Sequence, residues 1–138
     1  MLPWFKAGHK HSSAKILRYA SSAAGEILSS NWNRDDYYMR LYKYASPELA
    51  SHMYKNKSLL NSVLDERAEL LGDFVEMRNL EQKPSGFSIF PSAIVNVAGT
   101  LHCQKGTAPL TILVNCAKEE LSLDGIKVDK RAVQKFSE

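Results

Sequence analysis

Before Glu26 the chain has no acidic residue, and across its 138 residues it has only two cysteines, five prolines and seven glycines. Nowhere does it approach the about eighteen consecutive apolar residues that mark a membrane-spanning helix. Two cysteines are too few for a small disulfide-built scaffold. A formal net charge of +3 is too slight to mark a dedicated nucleic-acid surface, which concentrates more cations on one face, so nucleic acid is not the expected partner. What remains is ordinary globular composition, 44% hydrophobic and 24% charged, which predicts one folded domain. A chain of this length buries about two-thirds of its unfolded surface, enough for a real core.

The acid-free start holds Lys6, Lys10, Lys15 and Arg18 among Ser12, Ser13, Ser21 and Ser22. It reads as a basic tail over 1–12 leading into a first helix, with the domain proper over 13–133 and a second tail over 134–138. The same composition suits an organellar transit peptide, so a targeting or truncated segment, placing the chain in an organelle or the periplasm, stands as the alternative to a cytoplasmic protein. "MLPWFKAGHKHSSAK" lacks the continuous apolar core of a secretory signal. His9 and His11 can meet one metal ion only in an extended segment, and no other His or Cys lies near in sequence. No metal and no cofactor is expected.

The first half of the chain has helical periodicity. Ile16, Leu17, Tyr19, Ala20, Ala23, Ala24 and Ile27 line one face of a helix from about Ser13 to Ser29, with Gly25 weakening it or admitting another backbone. Asn33 suits an N-cap for a second helix from Arg34 to about Ala45, with Asp35 and Asp36 in the first turn, where the helix dipole favours acids. Tyr37, Leu41 and Tyr44 then form one stripe, Tyr38 and Tyr42 lie on the neighbouring row, and Asp36 pairs with Arg40. "ASPELA" starts a third helix with Ser46 as cap and Pro47 at its first position. A fourth runs from about Ser58 to Leu71 and stops at Gly72.

After Gly72 the period changes to two. "DFVEMRN" alternates as a strand, "KPSGFSIFP" reads as a loop or irregular strand, and two alternating runs flank "QKGT" as a hairpin. Centred there, the hairpin sets Val95 against Cys116, Val97 against Val114, Gly99 against Ile112 and Leu101 against Leu110. One face is then wholly apolar or Gly, while the other carries Asn96, Ala98, Thr100, His102, Thr111, Leu113 and Asn115. "LDGI" predicts a second tight hairpin at Asp124 and Gly125, and a parity change between Cys116 and Leu121 predicts a bulge near Lys118. Helices followed by an antiparallel meander with one apolar face define an α+β fold, with the helices covering that face.

In this register Cys103 and Cys116 lie more than about 20 Å apart at about 3.3 Å per residue, beyond the reach of a disulfide. Two buried thiols in a reducing compartment are expected. His102 and Cys103 resemble a base and a nucleophile, but adjacent strand residues point to opposite faces.

The order of elements resembles the nuclear transport factor 2-like superfamily, the SnoaL or ketosteroid-isomerase fold, over roughly residues 13 to 130. "NWNRDDYYMRLYKYASPEL" is similar to the family's helix-then-turn segment. "LDERAELLGDFVEMRNL" is similar to a pattern of small bacterial members with no known activity, here on Arg67, Leu71, Gly72 and Arg78. The first segment also resembles the soluble core of the assembly subunit of type IV secretion machines. The resemblance implies helices set in the concave face of a curved sheet, and, in the superfamily's enzymes, a carboxylate or His with Tyr partners inside that cone. The inferred inner face of the hairpin has no acid, His or Asn for general acid–base work. Candidates for a pocket are Tyr37, Tyr38, Leu41 and Tyr42 on the helix, Val97 and Val114 on the sheet, and Glu76 (with Asp73) on the first strand. The leading expectation is a non-catalytic protein-interaction or assembly module, meeting a protein partner or a second copy through Thr100, His102, Thr111, Leu113 and Asn115. The alternative is a binder of a small apolar ligand, or a ketosteroid-isomerase-like enzyme, using a pocket between the Tyr-rich helix and the sheet.

Overall fold

The computed structural model describes residues 11–83 and 93–136. The first ten residues, with His9, and most of "KPSGFSIFP" lie outside the described residues. Four helices come first: α1 (Ser13–Leu28), α2 (Arg34–Tyr44), α3 (Pro47–Lys55) and α4 (Lys57–Leu71). Then follow β1 (Phe74–Lys83), β2 (Ile94–Cys103), β3 (Gly106–Asn115), β4 (Ser122–Val128) and a two-residue β5 (Gln134–Lys135). The fold is α+β, a curved open antiparallel meander in the order β1-β2-β3-β4, with β5 pairing β3 beyond the end of β4. Gln134 and Lys135, within the stretch expected as a tail, thus sit beside Thr107 and Gly106.

The helix boundaries follow side-chain caps. Ser12 Oγ accepts from Lys15 N, Asn33 Oδ1 from Asp36 N, and Ser46 Oγ from Leu49 N; each satisfies one of the first backbone donors of its helix. Asp36 and Arg40 pair at 3.1 Å, and Arg40 also donates to the Glu26 carbonyl, fastening α2 to α1. Gly72 ends α4 with φ near 71°. Gly25 meets the side chain of Met77, not another backbone.

One joint has no simple sequence signature. Between α1 and α2, Asn31 and Trp32 both take positive φ, at 55° and 66°, a conformation that costs energy outside glycine. Asn31 Oδ1 accepts from Phe74 N at 3.0 Å, and Trp32 Nε1 donates to the Gly72 carbonyl at 2.8 Å. Trp32 also stacks on Tyr37 and lies beneath the Arg67 guanidinium. This corner therefore ties the α1–α2 link to the α4–β1 junction.

The hairpin keeps the expected faces but not the expected register. Val97 pairs with Ile112, Val95 with Val114, Gly99 with Leu110 and Leu101 with Ala108, a displacement of two residues from the sequence-based pairing. The strands join through Gln104 and Lys105, while Gly106 already belongs to β3. A Cβ at Gly106 would lie 2.5 Å from the Gln134 carbonyl, so glycine is required there by the approach of β5. An even displacement leaves every side chain on its own face, so the apolar set stays inside.

The second expected hairpin is absent. β4 runs through Asp124 and Gly125, and the register shift opposite Leu113 and Val114 makes that pair a bulge. Asp124 is the extra residue, held by Ser46 Oγ at 2.5 Å and by Asn115 Nδ2. The parity change assigned to Lys118 occurs here, with Leu123 and Ile126 both buried, and Lys118 lies in the β3–β4 connection. A second bulge, between Arg78 and Glu81 in β1, places a backbone oxygen 2.7 Å from any Cβ built on Gly99. Bulges of this kind bend the strand.

The inner face of the sheet packs against the helices. Ile16, Ala20, Ala23, Ala24 and Ile27 of α1 are fully buried, as are Val97, Ile112 and Val114 beneath the helices. Cys103 and Cys116 are both buried free thiols, at opposite ends of the hairpin. Burial pushes the Cys103 thiol up to about 11 and raises Cys116 as well. Among the described residues no helix is long and apolar enough to cross a membrane.

Candidate functional site

Two surfaces among the described residues carry most of the expected site residues. The first is the outer face of the sheet, over which no described helix packs. Alternation along β2 and β3 puts Asn96, Ala98, Thr100 and His102 beside Thr107, Thr111, Leu113 and Asn115, all half-buried, while their strand neighbours are largely buried. Opposed residues in an antiparallel pair share a face, so complete rows can be followed across the strands. One row reads Glu81, Ala98, Thr111, Lys127; the next reads Lys83, Asn96, Leu113, Gly125. On β1 the acids pair with bases in the same strand, Glu76 with Arg78 and Glu81 with Lys83. Lys127 makes no ion pair among the described residues.

Of the expected interface residues, Thr100, His102, Thr111 and Leu113 lie together on this face. Asn115 shares it but has local work: its amide donates to Asp124, and its Oδ1 accepts from Ala117 N at 2.9 Å. Glu76 is placed here too, opposite His102.

The second surface is a cleft of about 200 Å³ between α2, α3, α4 and the bulged strand β4. Tyr37, Tyr38 and Leu41 line it from α2, Leu49, His52 and Met53 from α3, and Leu60, Val63, Leu64 and Arg67 from α4. Asp124 to Lys127 form the β4 wall. The Tyr38 hydroxyl donates to Asn61 Oδ1 at 2.7 Å. Tyr37 is almost fully buried, and loss of solvent raises its pKa although the neighbouring Arg67 opposes the shift. Of α3 and α4 only Met53, Leu64 and Leu71 are buried. Tyr42, more outward on α2, lines a separate groove of about 210 Å³ with Asp35, Tyr38, Met39, Met53 and Lys57. Val97 and Val114 are fully buried in the core and line neither opening.

His52 and Asp124 of the cleft have local partners. His52 Nδ1 contacts the Asn56 amide. Ser46, whose hydroxyl bonds the Asp124 carboxylate, is fully buried and also caps α3. Nucleophile chemistry needs a base-bonded hydroxyl that a substrate can reach, and Ser46 is out of reach. No group of three or more His, Cys, Asp or Glu with metal-binding geometry occurs among the described residues. The cleft's β4 wall and Arg67's place in it escaped sequence reasoning. "LDGI" reads as a turn in isolation, and nothing local in sequence places α4 opposite it.

No family model matches the chain, and neither a curated protein nor a solved structure does.

Proposed function

We propose that this chain is a non-catalytic assembly module on the nuclear transport factor 2-like plan, and that its outer sheet face binds a second copy of itself. The plan is supported by the order of elements and by the bent antiparallel sheet that carries its helices on one face. The observation that carries the interaction reading is the row Glu81, Ala98, Thr111, Lys127. It has an acid at one edge, a base at the other and small uncharged side chains between. A two-fold axis parallel to the strands lays Glu81 of one copy over Lys127 of the other, and Ala98 over Thr111. That makes the face complementary to itself, as a two-fold interface requires. Uncharged residues at the centre with charges at the rim is also how protein interfaces are composed.

The test is a charge swap read by light scattering. Glu81→Lys and Lys127→Glu should each shift the mass from dimer toward monomer, and the double variant should restore the dimer. A wild-type chain that stays monomeric at high concentration, or a double variant no better than the singles, overturns this arrangement.

A further inference from the structure

The cleft beside β4 shares Gly125 and Lys127 with the outer-face rows but has its own chemistry. Its walls are apolar where Leu41, Met53, Leu64 and Ile126 meet, and all four are buried. Into this setting α4 brings Arg67, half-buried, with its guanidinium 5.8 Å from the centre of the Trp32 ring. Among the described residues six other cations pair with carboxylates, including Arg34 with Asp65 and Lys130 with Glu66 on the same helix. Arg67 makes no ion pair among the described residues; its neighbours are an indole face and the Tyr37 hydroxyl. The acid of the cleft, Asp124, is directed to Ser46 and Asn115. An arginine fixed by stacking and free of a counter-charge is suited to a carboxylate, which it can bind through two parallel hydrogen bonds.

Size narrows the ligand. An apolar cavity of about 150 Å³ holds benzene, so about 200 Å³ accepts one ring with a short acidic arm. This is not the centre of the concave sheet face, whose Val97, Ile112 and Val114 are sealed at zero exposure. We propose that the cleft between α2, α3, α4 and β4 binds a small aromatic monocarboxylate, its ring against Leu41, Met53, Leu64 and Ile126 and its carboxylate on Arg67.

Titration with 3-phenylpropionate, followed by calorimetry and by amide NMR shifts, tests this. Saturable binding is expected, with shifts centred on residues of α2, α4 and β4 around Arg67. 3-Phenylpropanol, which keeps the ring and loses the charge, should bind at least tenfold more weakly, and acetate should not bind measurably. A blocked peptide ending in Phe tests the other source of the same chemistry; binding as tight as the free acid would overturn the small-molecule assignment. Arg67→Met should lower affinity at least tenfold. Because that change also disturbs Trp32, Val63→Phe supplies a second arm: it fills the cleft, leaves Arg67 in place and should abolish binding. Equal affinity for acid and alcohol, shifts that map elsewhere, or unchanged binding in Val63→Phe would overturn the proposal. None of these readouts depends on dimer formation.

Discussion

Ile112 and Leu113 are neighbours in one strand, both branched and apolar, yet Ile112 is wholly buried and Leu113 is half-buried on the open face over Gly125. The difference between them is the difference between the two faces of the sheet. The inner face is a packed solid where volume decides. Among the described residues no helix covers the outer face, and its side chains are free to be chosen for contact with something else. Hydrophobicity does not separate these two roles; parity along the strand does.

Substitutions sharpen that comparison in a definite order. Ile112→Ala removes buried methylenes and leaves a cavity, so a loss of about 2–5 kcal/mol is expected in denaturant unfolding. Gly99→Ala should follow, at about 1–3 kcal/mol, because its new Cβ meets the Arg78 carbonyl and Leu80 across the β1 bulge. Alkali should act on the inner face as well. A Cys103 thiol raised to about 11 by burial keeps its proton in the fold after the unfolded chain has lost it. The native state then binds more protons than the unfolded one, so stability should fall as pH rises from about 9 toward 11. Tyr19, raised to about 12 by the same cause, extends the decline upward. An unfolding midpoint flat across that range would contradict the burial of these groups. The smallest effect belongs to the outer face: Leu113→Ala should change monomer stability by less than about 0.5 kcal/mol. A loss comparable to that of Ile112→Ala would erase the distinction.

How much of this was legible in sequence depended on the range of the interactions involved. Caps at Asn33 and Ser46, the Asp36–Arg40 pair and the stop at Gly72 are local, and each is readable from a few consecutive residues. The two faces of the hairpin were legible because alternation survives a shift of two residues. The exact pairing was not, since Gly106 looked like a turn residue and is instead demanded by Gln134 of β5, 28 positions on. "LDGI" failed for the same reason. Its Asp and Gly serve a bulge whose partners, Ser46 and Asn115, lie far away or on another strand. The candidates on the Tyr-rich helix divide between two openings. Tyr37, Tyr38 and Leu41 line the cleft, while Tyr42 turns outward, and the facing wall came from β4 instead of Val97 and Val114. The positive φ of Asn31 and Trp32 had no local signal, because what holds them is the carbonyl of Gly72 and the amide of Phe74.

The division of labour between the faces is tested most directly by the solution mass of Leu113→Glu beside the wild type across a dilution series, with circular dichroism on each sample. The account predicts a wild-type mass near twice the 15.5 kDa of the chain. It predicts a Leu113→Glu mass near the single-chain value, with an unchanged spectrum. A wild-type chain that remains at 15.5 kDa at every concentration, or a variant that loses its folded spectrum, would contradict it.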